Sequence, residues 1–121
     1  MDNINGGEVK SLVGCTPKEL ADHIYGVLDS KKAKDIKIVK VSDKTVIADY
    51  FVLANGTSST HVKSLEDEVE YKLGLCGVTP AHVEGRDSNS WMVIDYSSVI
   101  VHIFDREARE FYNLDKLYTD I

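Results

Sequence analysis

The chain has 121 residues and carries 20 acidic against 14 basic side chains, so it makes about one domain with a net charge of −6. Its hydrophobic share of 43% is too high for a disordered chain, and no apolar run approaches the roughly 18 residues of a membrane span. An acidic balance suits basic protein partners better than a grip on nucleic-acid phosphates, although a local basic patch can hide inside a negative total. Cys15 and Cys76 lie far apart in a pattern unlike metal-ligand or disulfide spacing, so no metal site is expected and a reducing cytoplasm fits best.

Residues 1–15 are polar, hold Gly6, Gly7 and Gly14, and show no sustained period, which predicts a flexible leader ahead of one domain over 16–121. The start lacks the basic and apolar regions of a secretory signal. A helix begins at Thr16, with Pro17 at its first position and Glu19 completing a capping box. Leu20, Ala21, Ile24, Val27 and Leu28 form its apolar stripe, and it should run out near Lys32 or Ala33. Two strands follow, Ile36 to Val41 and the nearly continuous apolar run from Val46 to Ala54.

Asn55-Gly56 ends that second strand, and Ser58 or Ser59 caps a second helix. Val62, Leu65, Val69, Leu73 and Cys76 make its inner stripe; Glu66, Asp67, Glu68 and Glu70 fall on its outer face, with Glu68 four residues before Lys72. Val78 to Glu84 is a third strand, placed at an edge by Pro80. After a loop comes a hairpin, Trp91 to Phe104, then a short helix over Arg106 to Tyr112 capped by Asp105, and a tail that docks back. The order α-β-β-α-β-β-β-α predicts an α/β fold: a mixed sheet of about five strands with helices packed on it.

A two-residue turn at Ser97-Ser98 sorts the hairpin into two faces. Met92, Ile94, Tyr96, Val99, Val101 and Ile103 form a nearly pure apolar face for the helices. Trp91, Val93, Asp95, Ile100, His102 and Phe104 form a mixed face, suited to a half-exposed binding surface.

Catalytic readings are weaker. Gly56-Thr57-Ser58 at a strand-to-helix turn offers N–H groups to an anion, but there is no Walker lysine, no G-x-G-x-x-G and no Asp-x-Asp. A tight turn with a capping serine explains these residues as well. Asp95 and His102 sit diagonally across the hairpin without a nucleophile, so a structural bond or a partner contact is the better expectation. His23, His61 and His82 stand singly, without metal-ligand spacing.

Several of these segments occur together in a known family. Asp35-Ile36, ADYFVLANGTSSTHV at 48–62, Glu84-Gly85, WMVIDYSSVIVHIF at 91–104 and REAREFYNLDKLYTD at 106–120 resemble the ribosomal silencing factors, also called Iojap-like proteins. The resemblance spans about Thr16 to Asp120. It implies a nucleotidyltransferase-like fold without the catalytic carboxylates, and a protein that is not an enzyme and needs no cofactor. It also implies binding to the large ribosomal subunit through its protein L-fourteen, which sterically blocks subunit joining and represses translation when nutrients are short. The positions implied for partner binding are Trp91, Asp95, Tyr96 and His102 in the hairpin, with Asp49, Tyr50, Gly56 and Ser58 around the turn; Phe104 joins them as the cross-strand partner of Trp91. One departure is Ser97-Ser98, where the family often has Gly-Asp. An open aromatic face further predicts a weak symmetric dimer of the free protein.

Overall fold

In the computed structural model, residues 11–85 and 90–119 are described. Helix α1 spans Pro17–Ser30, followed by strands β1 (Lys34–Lys40) and β2 (Tyr50–Asn55), helix α2 (Ser59–Leu75), and strands β3 (His82–Glu84), β4 (Trp91–Asp95) and β5 (Val99–Phe104). Two short helices close the chain, α3 (Arg106–Tyr112) and α4 (Leu114–Thr119). The expected order is present, with α4 formed by the docking tail. No helix among the described residues is long and apolar enough to cross a membrane.

The five strands form one mixed sheet in the order β1-β2-β5-β4-β3. β2 and β5 are parallel at its centre, and every other pair is antiparallel. β3 therefore runs in the same direction as β2 but lies at the far edge, with β5 and β4 inserted between them. The hairpin has the expected register: Trp91 faces Phe104, Met92 faces Ile103 and Ile94 faces Val101. Ser97 takes a positive φ of 71°, and its N–H donates to Asp95 Oδ1 at 2.7 Å. A serine thus occupies the left-handed turn position because the aspartate two residues earlier ties the turn down.

α1 and α2 cover one face of the sheet. The capping box of α1 is made in both directions, Glu19 N–H to Thr16 Oγ1 at 3.1 Å and Thr16 N–H to Glu19 Oε1 at 2.8 Å. Ser58 caps α2 by accepting from the His61 N–H at 3.1 Å. The expected stripes of both helices, apart from Cys76, which is buried at the C-cap of α2, lie with Met92, Ile94, Tyr96, Val99, Val101 and Ile103 in one buried cluster. Residues 1–10 of the expected leader lie outside the described residues. Residues 11–15 rest on the end of α2, where Leu12 N–H donates to Cys76 O at 2.9 Å.

Three expectations are corrected. The second strand begins at Tyr50 rather than Val46, because residues 41–49 form the connection between two antiparallel strands. Val41, Lys44 and Thr45 bond within that connection, leaving Val46 and Ile47 in solvent despite their strand-like character. Glu66, assigned by periodicity to the outer face of α2, is buried, with Lys63 Nζ 3.8 Å away. α1 ends at Ser30, where Lys32 N–H and Ala33 N–H turn back to Asp29 O and Leu28 O.

Gly56 holds α2 against the sheet. A Cβ there would stand 2.8 Å from both Val62 Cγ2 and Val62 N, so nothing larger than hydrogen fits. Gly56→Ala is expected to lower stability by about 1–3 kcal/mol through overpacking. Chemical denaturation should show the midpoint falling with an unchanged slope.

Candidate functional site

The face of the sheet turned away from α1 and α2 is only partly covered. Val39, Phe51, Leu53, Ile100 and Phe104 on that side pack with Val41 and Ala48 of the β1–β2 connection and Ala108 of α3. Leu114 of α4 closes one corner. Toward β4 the cover runs out: Trp91, Val93 and Asp95 alternate as half-buried residues between the fully buried Met92 and Ile94. Phe111, 80% exposed, and Tyr112 stand at the Trp91 end of this face. The connection carrying Val46 and Ile47 lies at the hairpin-tip end, where Asp49 N–H donates to Ser98 O at 2.8 Å.

Trp91 anchors an aromatic group. Its ring stacks on Phe104 at 5.3 Å and meets Tyr112 at 4.3 Å, while Phe111 packs edge-on against Tyr112 at 5.0 Å. The indole Nε1–H donates to His102 Nδ1 at 3.1 Å, which fixes His102 as the tautomer with its proton on Nε2. That Nε2 is buried and has no hydrogen-bond partner among the described residues. The ring also lies 4.7 Å from Phe51, and burial lowers its pKa from the ordinary 6.5 to about 4. His102 is thus a neutral aromatic spacer that orients the indole.

The expected site residues separate into distinct positions. Trp91, Asp95 and His102 share one face, as their register requires. Asp95 does not orient His102: its carboxylate closes the hairpin turn, and the imidazole takes its hydrogen bond from Trp91. Tyr96 and Phe104 are both buried in the free chain, Tyr96 on the α1/α2 side. Burial raises the Tyr96 hydroxyl above the ordinary tyrosine range, with Glu70 adding to it. Asp49 is half-buried beside the hairpin tip, and Ser58 is exposed but occupied in capping.

A second feature, a cleft of about 990 Å³, opens at the carboxyl ends of β2 and β5. Arg109, buried on α3, donates from Nη1 to Asn55 Oδ1 at 2.8 Å and makes a paired bond to Asp115, from Nε at 2.8 Å and Nη2 at 2.9 Å. Lys37 Nζ adds a contact to Asp115 at 3.1 Å, and Asn55 reaches Asp35 at 3.4 Å. The Arg109 bonds hold the Asp115 carboxyl well below its usual range. This network locks α3 and α4 to the sheet. Sequence reasoning missed it because its members come from four separate elements. The Gly56-Thr57-Ser58 turn beside it is not an open anion cradle: Thr57 N–H donates to His61 Nδ1 at 2.9 Å, and Gly56 N–H donates to Phe104 O at 2.8 Å. Among the described residues, no three His, Cys, Asp or Glu side chains are grouped to hold a metal ion.

Residues 15–121 match the family model for the ribosomal silencing factor during starvation, RsfS. The chain belongs to this ribosomal silencing factor family. It is 33% identical to the ribosomal silencing factor of Bacillus subtilis over 76% of this chain and 78% of that one. It is 34% identical to that of Haemophilus influenzae, over 82% of this chain and 97% of that one. A crystal structure from Chromobacterium violaceum superposes with a TM-score of 0.82 at 29% identity, covering 85% of this chain and 86% of the other. The family match agrees with the resemblance carried by the hairpin and turn segments, and the mixed α/β sheet is the architecture of these RsfS relatives.

The neutral state of His102 has a measurable consequence. As pH falls, the unfolded chain protonates this imidazole near 6.5 but the folded chain only near 4, so protons favour unfolding. Its contribution is complete above about 6.5 and is lost by about pH 4, amounting to about 3 kcal/mol at most. His102→Gln should melt with a shallower acid-side slope than the parent between about pH 6.5 and 4. Parallel curves for the two proteins would show that the imidazole is not held neutral.

Proposed function

We propose that this ribosomal silencing factor binds the large ribosomal subunit through its protein L-fourteen and prevents the small subunit from docking, lowering translation when nutrients are short. The action is steric: a 13.5 kDa body on the joining surface excludes its competitor without chemistry. The observation that carries the reading is the uncovered sheet face, with Trp91 supported from beneath by Phe104 and His102 and flanked by Phe111 and Tyr112. An aromatic anchor on a rigid platform is what interface hot spots look like. A specific contact needs about 800 Å² on each partner, which the open side of β4 together with α3 and the exposed Val46–Ile47 connection can supply. The acidic chain also has favourable long-range attraction to a basic ribosomal protein.

Trp91, Asp95 and His102 form the centre of this surface, with Tyr96 and Phe104 as its internal support and Asp49 at its hairpin-tip border. Ser58 contributes by holding α2 in place. The protein acts in the cytoplasm as a single domain and not as an enzyme. The rival use of the Gly56-Thr57-Ser58 turn for nucleotidyl transfer is disfavoured by the internal bonds that occupy the Gly56 and Thr57 N–H groups. Calorimetry with ATP, CTP, GTP and UTP plus magnesium should register no binding; micromolar heat abolished by Ser58→Ala would reverse this conclusion.

Phe111→Ala provides the cleanest test of the surface, because a side chain so exposed contributes little to folding. Combined with Trp91→Ala it should weaken cosedimentation with large subunits at least about 30-fold. Phe111→Ala alone should keep the parental melting temperature. Retained cosedimentation of the double variant would place the contact elsewhere. The same face should support a weak symmetric dimer of the free protein. Light scattering should show its mass rising with concentration in the parent and remaining monomeric in the double variant.

A further inference from the structure

The acidic total conceals a segregated basic edge. Residues 31–44 hold six lysines against two aspartates, a local charge of +4, which leaves −10 on the rest of the chain. Five of these lysines, Lys31, Lys32, Lys34, Lys37 and Lys40, lie along the α1–β1 turn and β1 itself, the outermost strand on its side of the sheet. All five are exposed. Lys37 is engaged by Asp115. Lys31, Lys32, Lys34 and Lys40 form no ion pair with any described carboxylate, whereas Lys18, Lys63 and Lys72 on the helices each have an acidic partner within 4 Å. From Lys34 to Lys40 the strand extends the stripe over roughly 20 Å.

The stripe is held in place. The His61 ring accepts from Thr57 N–H through Nδ1 and bonds Lys31 O through Nε2 at 2.9 Å, fastening the α1–β1 turn to the start of α2. Lys32 adopts a positive φ of 64°, a helix-ending position where glycine is ordinarily preferred. β1 is the sheet edge away from β4 and runs directly into the connection bearing Val46 and Ile47, so the lysines line the far rim of the sheet, on the side of that connection.

We infer that this lysine edge contacts the phosphate backbone of ribosomal RNA beside the protein docking site. The inference rests on the large subunit being the target. That surface offers basic proteins and RNA phosphates; unpaired lysines are repelled by the first and attracted by the second. The contact is sequence-independent, since lysine acts on phosphate as a point charge. Charge is thus divided between two tasks, with the acidic remainder steering toward basic protein and the edge engaging RNA. Lysines on an edge strand also discourage strand pairing between copies, and the test separates the two roles.

Full-length protein should be titrated against salt-washed large subunits over a series of potassium concentrations. The comparison is between the parent, Phe111→Ala, and a combined variant with Lys31→Gln, Lys32→Gly, Lys34→Gln and Lys40→Gln. The lysine variant should bind about 10- to 100-fold more weakly at low salt, with the log–log salt slope reduced by about 3. Its Lys32→Gly change relieves the left-handed backbone and the other three sites are exposed, so the combined variant should melt no lower than the parent, which excludes unfolding as the cause. Phe111→Ala should lose affinity with an unchanged slope. A photo-crosslinking lysine analogue at position 34 or 40 should attach to ribosomal RNA. Unchanged affinity and slope in the lysine variant, with new self-association, would overturn the inference in favour of edge protection; crosslinks to protein alone would overturn it too. Loss confined to the lysine variant, with Phe111→Ala binding normally, would leave the RNA contact standing and remove the docking face instead.

Discussion

A five-stranded sheet has two faces to shield from water, and the two long helices of this chain lie on the same one. Among the described residues, that side gathers eighteen buried apolar residues, against eight on the other. At about 1.5–3 kcal/mol for each fully buried large apolar side chain, the helix side supplies most of the drive to fold. The second face is therefore left to two short helices and a loop, which close over β1, β2 and β5 and stop before β4. The incomplete cover is what makes a folded domain of this size also a binding surface.

Where the cover stops, the sheet changes from core to platform within a single strand. Met92 and Ile94 are buried among helices while Trp91, Val93 and Asp95, one residue away in each case, are half-buried. The indole cannot swing freely, because Phe104 stacks beneath it and His102 accepts its only donor. The Arg109–Asp115–Asn55 network has the companion role of holding α3, and with it Phe111 and Tyr112, against the same end of the sheet. Rigid aromatic presentation lowers the ordering cost of association.

Much of this was legible in the residues themselves. The capping box at Thr16, the serine cap before α2 and both helical stripes are local signals, and local hydrogen bonds realised them. The hairpin register followed from strand alternation alone, so the division into an apolar and a mixed face was fixed before any contact was known. Tertiary facts were not legible. Val46 and Ile47 have strand propensity, yet they fall in a connection whose geometry is set by the pairing of its neighbours. Glu66 sits inward although its spacing places it beside the apolar stripe, with Lys63 Nζ 3.8 Å from its carboxylate. Asp95 and His102 were rightly placed on one face, but each found a different partner, since Ser97 N–H and the Trp91 indole lay closer to hand. The exposure of Phe111 and Tyr112 was not legible either, because a helix of seven residues has too few turns to reveal which side it exposes.

The central claim is steric exclusion from the joining surface, and subunit association followed by light scattering tests it most directly. Large subunits are incubated with the protein at increasing ratios before small subunits are added. The account predicts that joining falls in proportion to the protein bound and is lost near one copy per large subunit, with the Trp91→Ala and Phe111→Ala double variant leaving it intact. Full formation of joined ribosomes with the protein still attached would contradict it, because a bound body that does not exclude the small subunit cannot silence by occupying its place.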